Sequence, residues 1–256
     1  MPEIIVIANA KGGAGKTTTA IGLAAEAAHR GQRTLVIDAD TQGNATEHLI
    51  GIGDPLKPQG DGGRGLYRLL MDGDPLDAVT AKPNLDVVTA GPRTQSLADE
   101  LARMFTTSVE AQTQGLNEVR KTLNAATDSY DLVVVDTPPS EQSGTLIDCF
   151  LAAGTQLLIP FKPSPEHAFA AYKLLARLVR LDEKLRLHAQ PLGVVMFDLP
   201  SGAKRIAGGV EDMLKMVTDY VPLFETVITH RQGPAAVASR RHLTPRELVS
   251  IAPSAK

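Results

Sequence analysis

An α/β fold, built as one mostly parallel twisted sheet with helices on both faces, is predicted by three observations. Short apolar runs recur at Ile4–Ala8, Leu35–Ile37, Leu85–Ala90, Leu132–Val135, Leu157–Pro160 and Gly193–Phe197. Unbroken runs of this kind suit strands covered on both faces, whereas a half-exposed strand would alternate. Several of the gaps between them are long enough for the crossover helix that parallel neighbours need. Two of the runs also close on aspartate, at Asp38 and Asp136, and the first opens into a glycine-rich turn. Polar groups therefore collect at the carboxyl ends of strands, the edge where open α/β sheets bind ligands.

The chain has 256 residues, enough to bury a sizeable core, and a single domain over 1–256 is expected. With 43% hydrophobic and 21% charged residues the composition is that of an ordinary globular protein, and the absence of tryptophan argues against a base-stacking surface. The formal net charge of -3 means that any contact with nucleic acid must come from a local basic patch. Cys149 is the only cysteine, which excludes an internal disulfide and an all-cysteine cluster within one chain. It reads as a small buried hydrophobe. No apolar stretch approaches the roughly 20 residues that cross a bilayer, and the first strand begins at once, so a cytoplasmic protein without membrane insertion is expected.

Taken in order, the first strand runs into Ala10-Lys11-Gly12-Gly13-Ala14-Gly15-Lys16-Thr17-Thr18, and an Ala-rich helix follows to His29. Gly12, Gly13 and Gly15 let consecutive backbone N–H groups close around a polyphosphate at the positive end of that helix. Lys16 would reach the β- and γ-phosphates and the Thr17 hydroxyl would sit on Mg²⁺, with Ala14 and Thr18 completing the loop. A standard phosphate loop begins with glycine where this chain has Ala10, and it lacks the second lysine supplied here by Lys11. Gly31 ends the helix, and the second strand closes on Asp38-Ala39-Asp40. Two carboxylates two residues apart on extended chain face the same way, which suits one to the Mg²⁺ shell and the other to holding an attacking water.

These stretches, together with Asp38-Ala39-Asp40-Thr41-Gln42-Gly43-Asn44-Ala45-Thr46, resemble the ParA/MinD family of deviant phosphate-loop ATPases, in particular its ParA-type partition branch. The resemblance implies a P-loop NTPase fold with ATP or ADP and Mg²⁺. It also implies that Lys11 crosses the interface of an ATP-sandwiched homodimer to the partner's nucleotide, and that Asp40 positions water in the first switch.

Gly51–Gly65 is glycine-rich with two prolines and reads as a surface loop with little fixed structure and no chemistry. Leu66–Met71 is expected to be a short helix, Leu85–Ala90 a strand, and Ser96–Phe105 and Val109–Ala126 helices. The next strand ends in Asp136-Thr137-Pro138-Pro139-Ser140, an arrangement that places a carboxylate near Mg²⁺ and resembles the family's second switch. A strand at Leu157–Pro160, a helix from Pro165 to about Leu181 and a strand at Gly193–Phe197 follow. The loop Phe197–Gly202 departs from the family pattern, so base contacts stay unassigned.

Between Thr226 and Arg246 lie Arg231, Arg240, Arg241 and Arg246 with no acidic residue, and Lys204 and Arg205 precede them. Such a cluster either neutralises DNA phosphates without reading bases or is a solvated surface. The resemblance favours nonspecific DNA, nucleoid association in the ATP state, and a ParB-like adaptor that stimulates a weak intrinsic ATPase, with a plasmid, chromosome or protein assembly as cargo. Because the phosphate loop begins near the N-terminus, no preceding helix-turn-helix domain is expected. A MinD-like membrane-surface ATPase is disfavoured because Leu243–Lys256 carries Pro245 and Pro253 and lacks a bulky apolar face. A regulator that binds nucleotide and barely hydrolyses it stays open.

Overall fold

The computed structural model describes residues 2–51, 60–139, 143–187, 189–199, 214–229, 243–244 and 247. Eight strands form one sheet: β1 (Glu3–Ile7), β2 (Thr34–Asp38), β3 (Val79–Lys82), β4 (Leu85–Val88), β5 (Leu132–Asp136), β6 (Gln156–Phe161), β7 (Gln190–Leu199) and β8 (Leu223–Thr229). Their spatial order is β3-β4-β2-β5-β1-β6-β7-β8, and every neighbouring pair is parallel except β3 with β4. The helices are α1 (Lys16–His29), α2 (Asn44–Ile50), α3 (Arg64–Met71), α4 (Pro92–Phe105), α5 (Val109–Ala126), α6 (Gly144–Ala153) and α7 (Pro165–Leu185).

Strand alternation divides the core between the two faces. Ile4 and Val6 point into a cluster with residues of α3 to α7, while Ile5 and Ile7 point into a second cluster with α1 and α2. All five residues of β2 and of β5 are buried, which is why those strands are continuous apolar runs. The helices arise from ordinary signals: Ser108 and Ser164 cap α5 and α7 through their hydroxyls, and Pro165 supplies the first residue of α7.

Four elements depart from the sequence reading. The antiparallel edge strand β3 was not anticipated, nor were α2 and α6, and β8 occupies part of the segment read only for its basic charge. The Gly51–Gly65 stretch is also more ordered at its end than expected. Asp61 accepts from the amides of Gly63 and Gly65 and from the Thr89 hydroxyl, fixing the turn that begins α3 at Arg64. The described C-terminal residues return to the β3 end of the sheet. Leu243 O lies 2.8 Å from His48 Nε2 on α2, and Glu247 pairs with Lys82 of β3 at 2.9 Å.

Candidate phosphate and metal site

The site follows from strand order. β2, β5 and β1 are consecutive neighbours, Asp38 is in register with Asp136, and Asp136 with Ile7. Parallel neighbours lie about 4.8 Å apart. Two aspartates that are 98 residues apart in sequence therefore end their strands side by side, next to the strand that opens into the Gly12–Gly15 loop.

The loop is held by Asn9, which is fully buried. Its amide donates to Pro160 O of β6 at 2.7 Å, and its carbonyl accepts from Lys11 N at 3.0 Å. One side chain thus anchors the start of the loop to the neighbouring strand, so the following amides are presented from a fixed frame. Gly15, at φ 92°, turns the chain into α1 in the left-handed region. A Cβ there would stand 2.4 Å from the ring of Phe197 at the end of β7. Gly15→Ala is expected to cost about 1–3 kcal/mol in folding stability, measured by urea unfolding, because the left-handed backbone and the ring both oppose it.

Lys16 is buried beneath the loop and donates to Lys11 O at 3.3 Å. Burial lowers the pKa of its ammonium, and the carboxylates of Asp136 and Asp40 oppose that shift. Thr17 is half-buried, Thr18 is exposed, and the space above Gly12 and Gly13 is open. Asp40 lies in a tight turn: Gly43 N donates to its backbone carbonyl at 2.8 Å and Gln42 N to its Oδ1 at 3.0 Å. Gly43, at φ 64°, permits the reversal that starts α2.

The two strand-end aspartates have different surroundings. Asp38 accepts from Thr46 N and Thr46 Oγ1 through Oδ2, at 2.8 and 2.6 Å, and from Asp40 N through Oδ1 at 3.1 Å. Asp136 is equally buried, and among the described residues no backbone N–H donates to its oxygens; only the Thr17 hydroxyl and the Lys16 charge act on it. Burial raises both carboxyls above the ordinary aspartate range. At Asp136 the neighbouring charge of Asp38 adds to this, while the Thr17 hydroxyl and Lys16 draw the other way. A buried carboxylate with so few donors is costly unless a cation compensates it. An Asp136 carboxylate beside a Thr17 hydroxyl and an open phosphate loop fits Mg²⁺, which usually takes one or two protein ligands and completes its shell with phosphate oxygens and water.

All the loop residues, Lys11 to Thr18, and the three aspartates Asp38, Asp40 and Asp136 therefore share one sheet edge. The basic positions Lys204, Arg205, Arg231, Arg240, Arg241 and Arg246 lie outside the described residues. Asn9 and Thr46 were missed as contributors. Nothing local marks Asn9, which acts on a carbonyl 151 residues away, and Thr46, though it closes the Asp38–Thr46 stretch, carries no sign that it acts on a strand end eight residues back. Beside Phe197, Lys162 and Asp198 form an ion pair at 2.7 Å. No helix among the described residues is long and apolar enough to cross a membrane.

The model of the AAA domain family matches residues 2–190. The sporulation initiation inhibitor protein Soj of Bacillus subtilis is 34% identical over 233 residues, covering 89% of this chain and 84% of its own length. The chromosome-partitioning ATPase Soj of Thermus thermophilus is 36% identical over 214 residues, covering 82% and 75%. Among solved structures, an ATP complex of McdA from Cyanothece superposes with a TM-score of 0.76 at 24% identity, covering 96% of this chain and 90% of that one.

Proposed function

The chain belongs to the ParA-type partition ATPases, and on that premise we propose that it cycles between an ATP-bound homodimer held on nonspecific DNA and a released state after hydrolysis. The single observation that carries the nucleotide part is the buried Asp136 carboxyl, between the Thr17 hydroxyl and the Lys16 ammonium, beneath an open glycine loop. With Asp38 in register beside Asp136, two carboxylates share one ammonium, an imbalance that a cation would relieve, and the open loop leaves room for polyphosphate.

Phosphoryl transfer to water needs positioning and charge neutralisation more than a strong base. The amides of Gly12 to Thr18 bind the phosphate oxygens, and Lys16 leaves the Lys11 carbonyl to neutralise the β- and γ-phosphates. Thr17 and Asp136, with Asp38 at the next strand end, would hold Mg²⁺, which would supply positive charge to shield the phosphates. Asp40 orients the attacking water, its turn fixed by the Gln42 and Gly43 amides. Lys11 reaches the nucleotide of the second subunit, so that full charge neutralisation requires the dimer. Hydrolysis is slow until an adaptor protein completes the geometry. The DNA contacts are assigned to the basic cluster of Arg231, Arg240 and Arg241 with Lys204 and Arg205, on the ground that no acidic residue interrupts the charge between Thr226 and Arg246.

The test separates binding from chemistry. Asp40→Ala should lower turnover by about 10²-fold or more while ATP still drives dimerisation in light scattering. Lys11→Ala should bind ATP yet stay monomeric. If Asp40→Ala hydrolyses at the wild-type rate, or Lys11→Ala dimerises normally, the corresponding role is wrong.

A further inference from the structure

Thr46 occupies a position that the phosphate-loop account does not use. Its hydroxyl accepts from Ala90 N at 2.9 Å and lies 2.6 Å from Asp38 Oδ2, all of it buried. A hydroxyl has one proton. Because the Ala90 amide already donates to this oxygen, the proton must point at Asp38. The Thr46 amide donates to the same carboxylate oxygen at 2.8 Å. Asp38 is thus gripped at Oδ2 by both polar groups of one residue. Oδ1 faces only the Asp40 amide at the longer distance of 3.1 Å and keeps free acceptor capacity.

We propose that Thr46 is the positioning residue of the metal site. By fixing the rotation of the Asp38 carboxylate against the β4 end at Ala90, it turns Oδ1 toward the shell of a divalent cation held by Asp136 and Thr17. This inference rests on the reading of Asp38 and Asp136 as the Mg²⁺ side of the site. Thr46 touches neither nucleotide nor metal, and its effect passes wholly through Asp38. The same bridge ties the first turn of α2, which directly follows the Asp40 turn, to the 89–94 turn. Displacement of α2 therefore rotates the carboxylate.

A fluorescent ATP analogue is titrated with MgCl₂ on the full chain in wild type, Thr46→Val and Thr46→Ser, with binding in EDTA as the metal-free reference. Val keeps the shape and removes the hydroxyl, whereas Ser keeps the hydroxyl. A lost hydrogen bond to a charged group predicts a rise of about tenfold in the Mg²⁺ midpoint for Thr46→Val. Thr46→Ser should stay within about twofold, with affinity in EDTA equal in all three. Amide exchange at Ala90, read without metal, should quicken in Thr46→Val and return toward wild type in Thr46→Ser. A Thr46→Val midpoint within about twofold of wild type, or a Thr46→Ser shift as large as that of Thr46→Val, overturns the proposal. Should Thr46→Val fold poorly, Thr46→Ala replaces it under the same criteria. If wild-type binding itself ignores Mg²⁺, the metal reading falls and this proposal falls with it.

Discussion

Lys16→Ala is expected to abolish measurable ATP turnover, a loss of about 10³-fold or more. The ammonium is buried, so its charge acts through a low-dielectric path where water would otherwise weaken it. It is also prepositioned: its contact is a loop carbonyl at 3.3 Å, a weak partner that phosphate oxygens readily replace. Asp136 and Asp40 oppose the effect of burial on its pKa, favouring the charged form. Lys11 does not take its place if, as proposed, it serves the other subunit's nucleotide. Steady-state phosphate release measures the effect, and fluorescent nucleotide binding should weaken in parallel. A variant that retains a tenth of wild-type turnover would remove Lys16 from its role.

Asp136→Asn should have two effects of opposite sign. Turnover should fall to background, because the amide cannot serve as an anionic ligand. Stability of the protein without nucleotide or Mg²⁺ should rise by about 1–2 kcal/mol, because the change removes a buried carboxyl that Thr17 and Lys16 only partly compensate and that faces a second one in register. The pH dependence follows from the raised Asp136 carboxyl. The folded chain holds this proton more tightly than the unfolded chain, so it binds more protons and wild-type stability falls as pH rises. The fall spans the interval from the ordinary value of 3.8 to the raised value of about 8. The gain from Asp136→Asn should therefore be largest at the alkaline end and shrink toward acid. Thermal melts across pH in EDTA measure it, and an unchanged or lower melting temperature at pH 8 would contradict the assignment of Asp136 as a strained, cation-seeking group.

Much of this site was legible because its parts announce themselves locally. A continuous apolar strand followed by Gly12, Gly13, Gly15 and Lys16 carries its own geometry, and Asp38 and Asp136 are marked by the strands they terminate. The parallel sheet could be read for the same reason, since β2 and β5 are buried along their whole length. Segments without such contrast were missed. α2 has seven residues between Gly43 and Gly51, too few to display a helical period. β3 is a four-residue edge strand of partly exposed residues. β8 is exposed along nearly its whole length, so the alternation that would mark a half-buried strand is absent. Asn9 and Thr46 show a different limit. A polar residue whose partner is supplied by strand pairing, as Pro160 O and Ala90 N are, looks like any other until the sheet is assembled. Gly60 to Gly63 looked like loose loop because the hydrogen bonds that fix it run to Thr89 and Arg93, on a turn about 30 residues later in sequence.

Whether nucleotide state governs attachment to DNA is measured by binding to a random-sequence duplex with ATP, with ADP and without nucleotide, at two salt concentrations. Wild type should bind with ATP alone, indifferent to sequence and steeply weakened by salt, and Lys16→Ala should not bind. Binding that is equal in all nucleotide states, or absent at low salt in a protein shown to bind ATP, would contradict such control.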